Sequence, residues 1–125
     1  MIMAVRLGAP VIVEGHWHGE KVAAHFLPYT DPEMKKALNK LIFERLKLDE
    51  ASGLPRDNSQ KAREEFFDAA CIRVEGYEDQ KDGEWLPLTP ENFPDWQDRV
   101  PAGDKQSFAA EFEEKRTLRR QERKN

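Results

Sequence analysis

The stretch that decides the fold is DGEWLPLTPENFPDW, Asp82 to Trp96. It opens on Asp-Gly, a pair that suits tight turns with positive φ, and continues into β-prone residues. Leu88-Thr89-Pro90-Glu91 then supplies a capping residue, a proline tolerated in a first helical turn and an acidic side chain near the positive helix end. The stretch therefore predicts a β-hairpin that ends where a helix begins, and Trp85, Phe93 and Trp96 are available to join the two.

The sequence after this stretch predicts one more helix. The helix that begins at Pro90 must be short or broken, because Pro94 follows early. A final helix is expected from Asp104 onward, where Phe108 and Phe112 share one face at a spacing of four. Few apolar residues follow Phe112, so the last turns are expected to project into solvent or onto a partner.

The residues before the stretch predict a hairpin and two helices. Two β-prone runs between Val11 and Leu27 flank GHWHG, which predicts a hairpin with a short aromatic tip. The pattern Thr30-Asp31-Pro32-Glu33 predicts a helix start. Apolar residues then recur at steps of three and four, at Met34, Ala37, Leu38, Leu41, Ile42, Leu46 and Leu48. A second helix, capped by Asp57, Asn58 or Ser59, is expected to run to about Ala70.

The fold class follows from the order of these elements. The segment CIRVEGYED alternates apolar and polar residues around Ile72 and Val74, and with the strand after Asp82-Gly83 it predicts a second hairpin. The 125 residues suit one ordinary core. We expect a single-domain α+β fold in which antiparallel β-hairpins pack against three to four helices. Residues 1–112 are expected to form the domain, and 113–125 a charged, exposed helix end.

Charge and composition limit the classes of function. The net charge of −4 and the pI near 5.5 disfavour general attraction to nucleic acid. The segment Lys115–Asn125 has six basic residues against Glu122, which keeps a nucleic-acid-binding accessory factor open as an alternative. Cys71 is the one cysteine, so no intramolecular disulfide can form and a reducing cytosol fits best. No run approaches the roughly 20 apolar residues of a membrane span.

The candidate chemistry is limited to a group of three histidines. His16 and His18 would point to the same side of a strand, and with His25 and nearby carboxylates they are candidate ligands of zinc or another divalent metal. A metal-binding domain or metal-dependent enzyme is therefore one alternative, and an exposed hairpin tip is the other. Cys71 has no motif around it and is expected to be a small buried residue. Nucleotide-binding, hydrolase and paired CxxC motifs are absent, so we expect a protein without enzymatic activity or cofactor.

The order of these segments resembles a known family. A β-rich N-terminus, a helix opened by YTDPEMKKALNKL, a helix ending in EEFFDAACIRVEGYED, the DGEWLPLTPEN segment and a closing helix are similar to the tail assembly chaperones of long-tailed bacteriophages and prophages. The resemblance is clearest from Phe66 to Asn92 and is architectural over most of the chain. The HWH tip has no counterpart in that family, and the basic end after Phe112 is longer and more charged.

The resemblance implies a function in tail assembly. Such a chaperone binds the tape measure protein in the host cytoplasm, keeps it soluble, helps recruit tail-tube subunits and leaves before the virion is finished. We expect self-association and no nucleic acid or membrane partner. Two candidate contact surfaces follow, one around Leu38, Leu41 and Ile42 and one around Trp85, Phe93 and Trp96. The alternative is that all six side chains belong to the core.

Overall fold

The fold is α+β, as the sequence predicts. A computed structural model describes residues 7–45 and 59–124, with side chains for 7–44 and 60–115. In chain order its elements are β1 (Val11–Trp17), β2 (Glu20–Phe26), α1 (Pro32–Arg45), α2 (Ser59–Ala70), β3 (Cys71–Glu75), β4 (Glu78–Lys81), β5 (Glu84–Pro87), α3 (Trp96–Arg99) and α4 (Ala102–Lys124). None of the helices in the described residues is both long and apolar enough to span a membrane.

The first hairpin has a tighter turn than its sequence suggests. Strands β1 and β2 pair antiparallel, from Val11 opposite Phe26 to Trp17 opposite Glu20. Only His18 and Gly19 lie outside the ladder, with φ of 57° and 76°. Two successive positive φ angles are typical of the type I′ turn that fits the twist of a hairpin. The predicted GHWHG tip is therefore wrong in extent, since its first three residues belong to β1.

Helices α1 and α2 lie where the sequence places them. The backbone N–H of Glu33 donates to Oδ1 of Asp31 at 2.8 Å, so Asp31 caps α1 and Pro32 occupies its first turn. Helix α2 ends at Ala70, as predicted. The expected continuation of α1 to Leu48 and the candidate caps at 57 and 58 fall outside the described residues.

The second hairpin is real, but its first strand is not the predicted one. Strand β3 pairs with β2, with Val74 opposite Ala24, and completes a sheet of order β1-β2-β3. The hairpin around Asp82-Gly83 instead joins β4 to β5 as a separate ribbon. Gly76 separates the two sheets with φ of 91°, and a Cβ there would lie 2.7 Å from the carbonyl oxygen of Lys21. Only glycine fits this reversal beside β2.

The predicted helix start at Pro90 is also wrong. The N–H of Phe93 bonds to the carbonyl of Thr89 at 2.8 Å, and the N–H of Asn92 bonds to Thr89 Oγ1 at 3.2 Å. These contacts form one turn only. Pro94 lacks the N–H that the next helical bond requires, so the chain continues as turns until α3.

The core lies between one face of the three-stranded sheet and helices α2 and α4. Phe26 of β2 packs against Phe66 and Phe112 at ring-centroid distances of 5.6 and 5.1 Å, and Phe67 stacks on Phe108 at 6.0 Å. The expectation that Phe108 and Phe112 share a buried face is confirmed. Aromatic pairs at these distances add to the stabilisation from burial. Helix α1 packs on α2 and so forms the layer furthest from the sheet.

Candidate functional site

The structure divides the six predicted contact residues between core and surface. Those that the fold buries are Leu41, Phe93 and Trp96, with exposed fractions of 3%, 2% and 7%, and Leu38 is partly buried. Ile42 and Trp85 remain exposed, at 43% and 63%. Neither predicted surface is therefore presented whole. The alternative that all six belong to the core is wrong for these two residues.

Phe93 and Trp96 join the β4–β5 ribbon to the rest of the molecule. The guanidinium of Arg99 lies 4.5 Å from the centre of the Phe93 ring, a cation–π contact. Trp96 meets Phe67 of α2 edge-on at 6.3 Å. Phe93 therefore contacts α3 and Trp96 contacts α2, whereas the helix at Pro90 that they are expected to join to the hairpin does not form.

Arg99 also links the ribbon to α3 through two carboxylates. Its Nη1 donates to Asp79 at 2.9 Å and its Nε to Asp95 at 3.0 Å. Hydrogen bonds from Arg99 lower the pKa of both Asp79 and Asp95, and the two carboxylates raise the pKa of Arg99. This polar cluster is satisfied by its own members, so it is a structural link and not a vacant ligand site.

The exposed apolar surface of α1 is larger than the sequence prediction. Phe43 is 66% exposed and follows Ile42 directly. On a different side of this helix, α1 and α2 enclose a shallow groove that is floored by Leu41 and Phe66 and lined also by Ala37, Lys40, Glu44, Ala62, Glu65 and Ala69. Nζ of Lys40 lies 3.8 Å from Glu65 Oε2 across the groove. We define this groove, together with the exposed Ile42 and Phe43 on another side of α1, as the α1–α2 surface.

Sequence reasoning missed Phe43, although a signal for it existed. Phe43 lies outside the three-and-four spacing that buries Met34, Ala37 and Leu41, and it falls on the polar side of α1, three and four residues after Lys40 and Asn39. A large aromatic residue on the polar side of a helix can be found in the sequence, and we treat Phe43 as a candidate contact residue. Trp85 is the corresponding residue of the ribbon, where it lies opposite Gln80.

The three histidines do not come together. His16 lies opposite Lys21 near the turn of the first hairpin, His18 is in the turn, and His25 lies opposite Ile12 at the far end. Within 7–44 and 60–115, no group of three or more His, Cys, Asp or Glu side chains is arranged to hold a metal ion. His25 Nε2 lies 3.2 Å from Glu75 Oε1, but the direction does not form a hydrogen bond. The geometry gives the metal-binding alternative no support.

His18 instead belongs to a polar network that fixes the first hairpin. Its Nε2 lies 3.0 Å from both carboxylate oxygens of Asp104, in the first turn of α4. Tyr77 donates its hydroxyl to the same carboxylate at 2.8 Å and accepts from Trp17 Nε1 at 2.8 Å. A carboxylate only accepts hydrogen bonds, so the His18 tautomer that makes this contact has its proton on Nε2. The network connects the hairpin turn, the Gly76 reversal and the start of α4.

Within this network Tyr77 is held in its protonated form. Burial, followed by the hydrogen bond to Asp104 and its negative charge, raises the pKa of Tyr77. The phenol therefore stays protonated near neutral pH. Burial also raises the pKa of the Cys71 thiol to about 12, which makes Cys71 a poor nucleophile. The expectation that Cys71 is a small buried residue is confirmed.

The basic C-terminal segment is described only in part. Helix α4 continues through the predicted boundary at 112 to Lys124. Glu113 pairs with Arg63 of α2 at 3.3 Å, and Lys115 Nζ donates to the carbonyl of Ile12 at 3.0 Å. The structure does not describe the side chains of residues 116–125, so nucleic-acid binding by this segment stays an untested alternative.

Comparison with known proteins gives no relatives. No protein-family model matches the chain, and no curated protein or solved structure is detectably similar to it. The resemblance to tail assembly chaperones therefore rests on the residues of the sequence that carry it.

Proposed function

We propose that this protein is a tail assembly chaperone of long-tailed bacteriophages or prophages. In this function it binds the tape measure protein in the host cytoplasm, keeps that protein soluble and helps to recruit tail-tube subunits. It acts by binding alone, without enzymatic chemistry or a cofactor. The order of its elements supports the proposal, since a β-hairpin, two helices, a strand, the DGEW turn and a closing helix follow one another as the resemblance implies.

The observation that carries the proposal is the α1–α2 surface. Ile42 and Phe43 are exposed on α1, and a separate groove between α1 and α2 has an apolar floor with Lys40 and Glu65 at its edges. An amphipathic helix binds such a groove by laying its apolar side chains into it, at a spacing of three and four residues. A tape measure protein with long apolar helices presents that pattern many times. Charged edges let several copies coat one client while the outside remains hydrated.

The experiment that tests this proposal is co-expression with the tape measure protein encoded just downstream. We expect the client to become soluble and to co-purify with the chain, since the α1–α2 surface replaces water around its apolar helices. The double variant Ile42→Ser/Phe43→Ser should reduce the amount of captured client by about tenfold or more, because aromatic anchors carry much of the affinity of an interface. Trp85→Ser measures whether the ribbon contributes a second contact.

A matched control tests whether reduced capture reflects the α1–α2 surface or the loss of any exposed apolar side chain. Leu7 is 50% exposed and contacts the rest of the chain through its backbone carbonyl, which accepts from Thr30. Leu7→Ser should leave capture unchanged. A client that stays insoluble and unbound beside the unaltered chain would overturn the proposal. Equal capture by the double variant and the control would remove the α1–α2 surface from it.

A further inference from the structure

Strand β1 forms an outer edge of the three-stranded sheet. The order β1-β2-β3 leaves one side of β1 without a partner strand. Its seven residues, VIVEGHW, contain no proline. An edge of this length presents backbone N–H and C=O groups that can pair with another strand unless the protein covers them. The backbone geometry identifies which residues present those groups.

The turn of the first hairpin fixes the direction of each backbone group. A two-residue type I′ turn is closed by a hydrogen-bonded pair, here Trp17 and Glu20. Hydrogen-bonded and non-hydrogen-bonded pairs alternate along an antiparallel ladder. The N–H and C=O of Ile12, Glu14 and His16 therefore point away from β2, towards the open edge. The bond from Lys115 Nζ to the carbonyl oxygen of Ile12 agrees with this assignment.

Lys115 protects only one end of this edge. Its ammonium group occupies the carbonyl of Ile12 at 3.0 Å. In the part of the chain that the structure describes, no contact is made to the outward N–H and C=O groups of Glu14 and His16. The unpaired backbone groups of the described edge therefore belong to Glu14 and His16, which lie on either side of Gly15 at the end of β1 near the turn.

We propose that this edge pairs with β1 of a second copy of the chain. The two strands run antiparallel, with Glu14 of each copy opposite His16 of the other and the two-fold axis at Gly15. Each Glu14–His16 pair exchanges two backbone hydrogen bonds, so the interface contains two such pairs by symmetry. The side chains of Glu14 and His16 lie on the solvent face of the sheet, where a carboxylate faces an imidazole in both pairs.

The alternative register is less favourable for two reasons. Placing Glu14 opposite Glu14 of the second copy would pair every residue of β1, but it sets like charges directly across the ladder, which is destabilising. It would also place Ile12 opposite His16 and require Lys115 to leave the Ile12 carbonyl. The proposed register keeps that bond and uses only the backbone groups that are free. A second copy in the proposed register therefore sets a carboxylate opposite an imidazole, which can donate a hydrogen bond, in both pairs and avoids the contact between two carboxylates.

Gly15 suits the position on the symmetry axis. A Cβ on Gly15 would lie 2.2 Å from the Trp17 ring, so this ring covers the inner side of Gly15 within its own chain. At the axis the two Gly15 residues lie opposite each other, so no pair of side chains has to be accommodated there. Trp17 then faces Val13 of the second copy on the inner side. The Glu14–Lys21 pair, at 3.7 Å between exposed side chains, is too weak to hold Glu14 away from this contact.

Sedimentation equilibrium over a wide range of protein concentration tests the inference. The unaltered chain should form a concentration-dependent dimer. Glu14→Lys should raise the dimer dissociation constant by about tenfold, since it sets two cations against two imidazoles. The exchange Glu14→Lys/His16→Glu should restore dimerisation, because it reverses both pairs. Arg73→Glu, on strand β3 at the opposite edge, is the control and should leave the dissociation constant unchanged.

Each substituted side chain is exposed, and circular dichroism checks that the variants keep the fold. A chain that is monomeric at every concentration would overturn the inference, as would a dimer that the exchange fails to restore. The inference does not depend on the proposed function. A monomeric chain that still captures the tape measure protein would remove β1 pairing and leave the chaperone proposal standing.

Discussion

At the scale of single residues, Cys71 connects burial to a pH-dependent stability. The thiol is buried at the start of β3 and donates to the carbonyl of Arg73 at 3.3 Å. Burial, the largest cause, raises its pKa from 9.0 to about 12. The folded state therefore holds the thiol proton more tightly than the unfolded chain. This contribution to stability is complete below pH 9 and is lost as the pH rises towards 12.

A comparison with Cys71→Ala isolates this effect from other groups that titrate at high pH. We predict that the difference in unfolding free energy between the two proteins is constant below pH 9 and changes above it, by up to about 1.4 kcal/mol per pH unit. Urea denaturation at a series of pH values measures it. Rapid alkylation of Cys71 in the folded protein near pH 8 would contradict the buried, protonated thiol.

The residue types in the sequence indicate which large side chains are candidate contact residues, but they do not indicate which of these are buried and which are exposed. Trp85 and Trp96 are both aromatic and flank the same prolines, yet one is exposed and the other buried. The difference arises because Trp96 packs against Phe67 of α2, a residue that is distant from Trp96 in the sequence. Local periodicity carries no information about such a contact, so the buried members of the predicted surfaces could not be separated from the exposed ones.

At the scale of elements, helices α2 and α4 are joined by an ion pair with unequal burial. Lys105 is 8% exposed, and its Nζ donates to Asp68 Oδ1 at 2.8 Å while lying 5.8 Å from the centre of the Phe67 ring. Asp68 is itself exposed at the surface. The buried partner is the lysine, and its charge depends on Asp68 for compensation.

We therefore predict an asymmetric response to substitution of this pair. Asp68→Ala should lower the unfolding free energy by about 1 to 2 kcal/mol, because it leaves a largely buried ammonium without its carboxylate. Lys105→Met keeps the side-chain length over Phe67 and removes the charge, so it should be close to neutral or stabilising. Chemical denaturation of the single and double variants measures both. Equal losses from the two single variants would refute the asymmetry.

The elements that the sequence predicts best are those with local causes. Asp31 and the three-and-four spacing specify α1, and Asp82-Gly83 specifies its turn, because each acts through neighbours in the chain. The pairing of β3 was misassigned because its partner β2 lies beyond two helices in the sequence. The Pro90 segment forms one hydrogen-bonded turn and no helix, and the early Pro94 that predicts a short or broken helix ends its helical bonding.

At the scale of the whole molecule, the three-stranded sheet and the segment that follows the β4–β5 ribbon share one core. The three-stranded sheet contributes Phe26 and Val74, and the segment that follows the ribbon contributes Leu88, Phe93 and Trp96 to the same contiguous cluster. The ribbon itself makes few core contacts through its strands and depends on this segment and on Arg99. The predicted boundary between domain and tail at 112 stays a prediction, although the Arg63–Glu113 pair extends the packing of α4 beyond it.

Because the cluster is contiguous, we predict that the described part of the chain unfolds in a single cooperative transition. Two probes report on different regions: tryptophan fluorescence is dominated by Trp17, Trp85 and Trp96, whereas far-ultraviolet circular dichroism follows the helices. Their urea unfolding curves should coincide in midpoint and slope. Trp85→Phe is the control, since it removes the exposed indole and leaves the cluster intact, and its fluorescence curve should have the same midpoint. An earlier fluorescence transition that disappears in this variant would mean that the β4–β5 ribbon opens before the core.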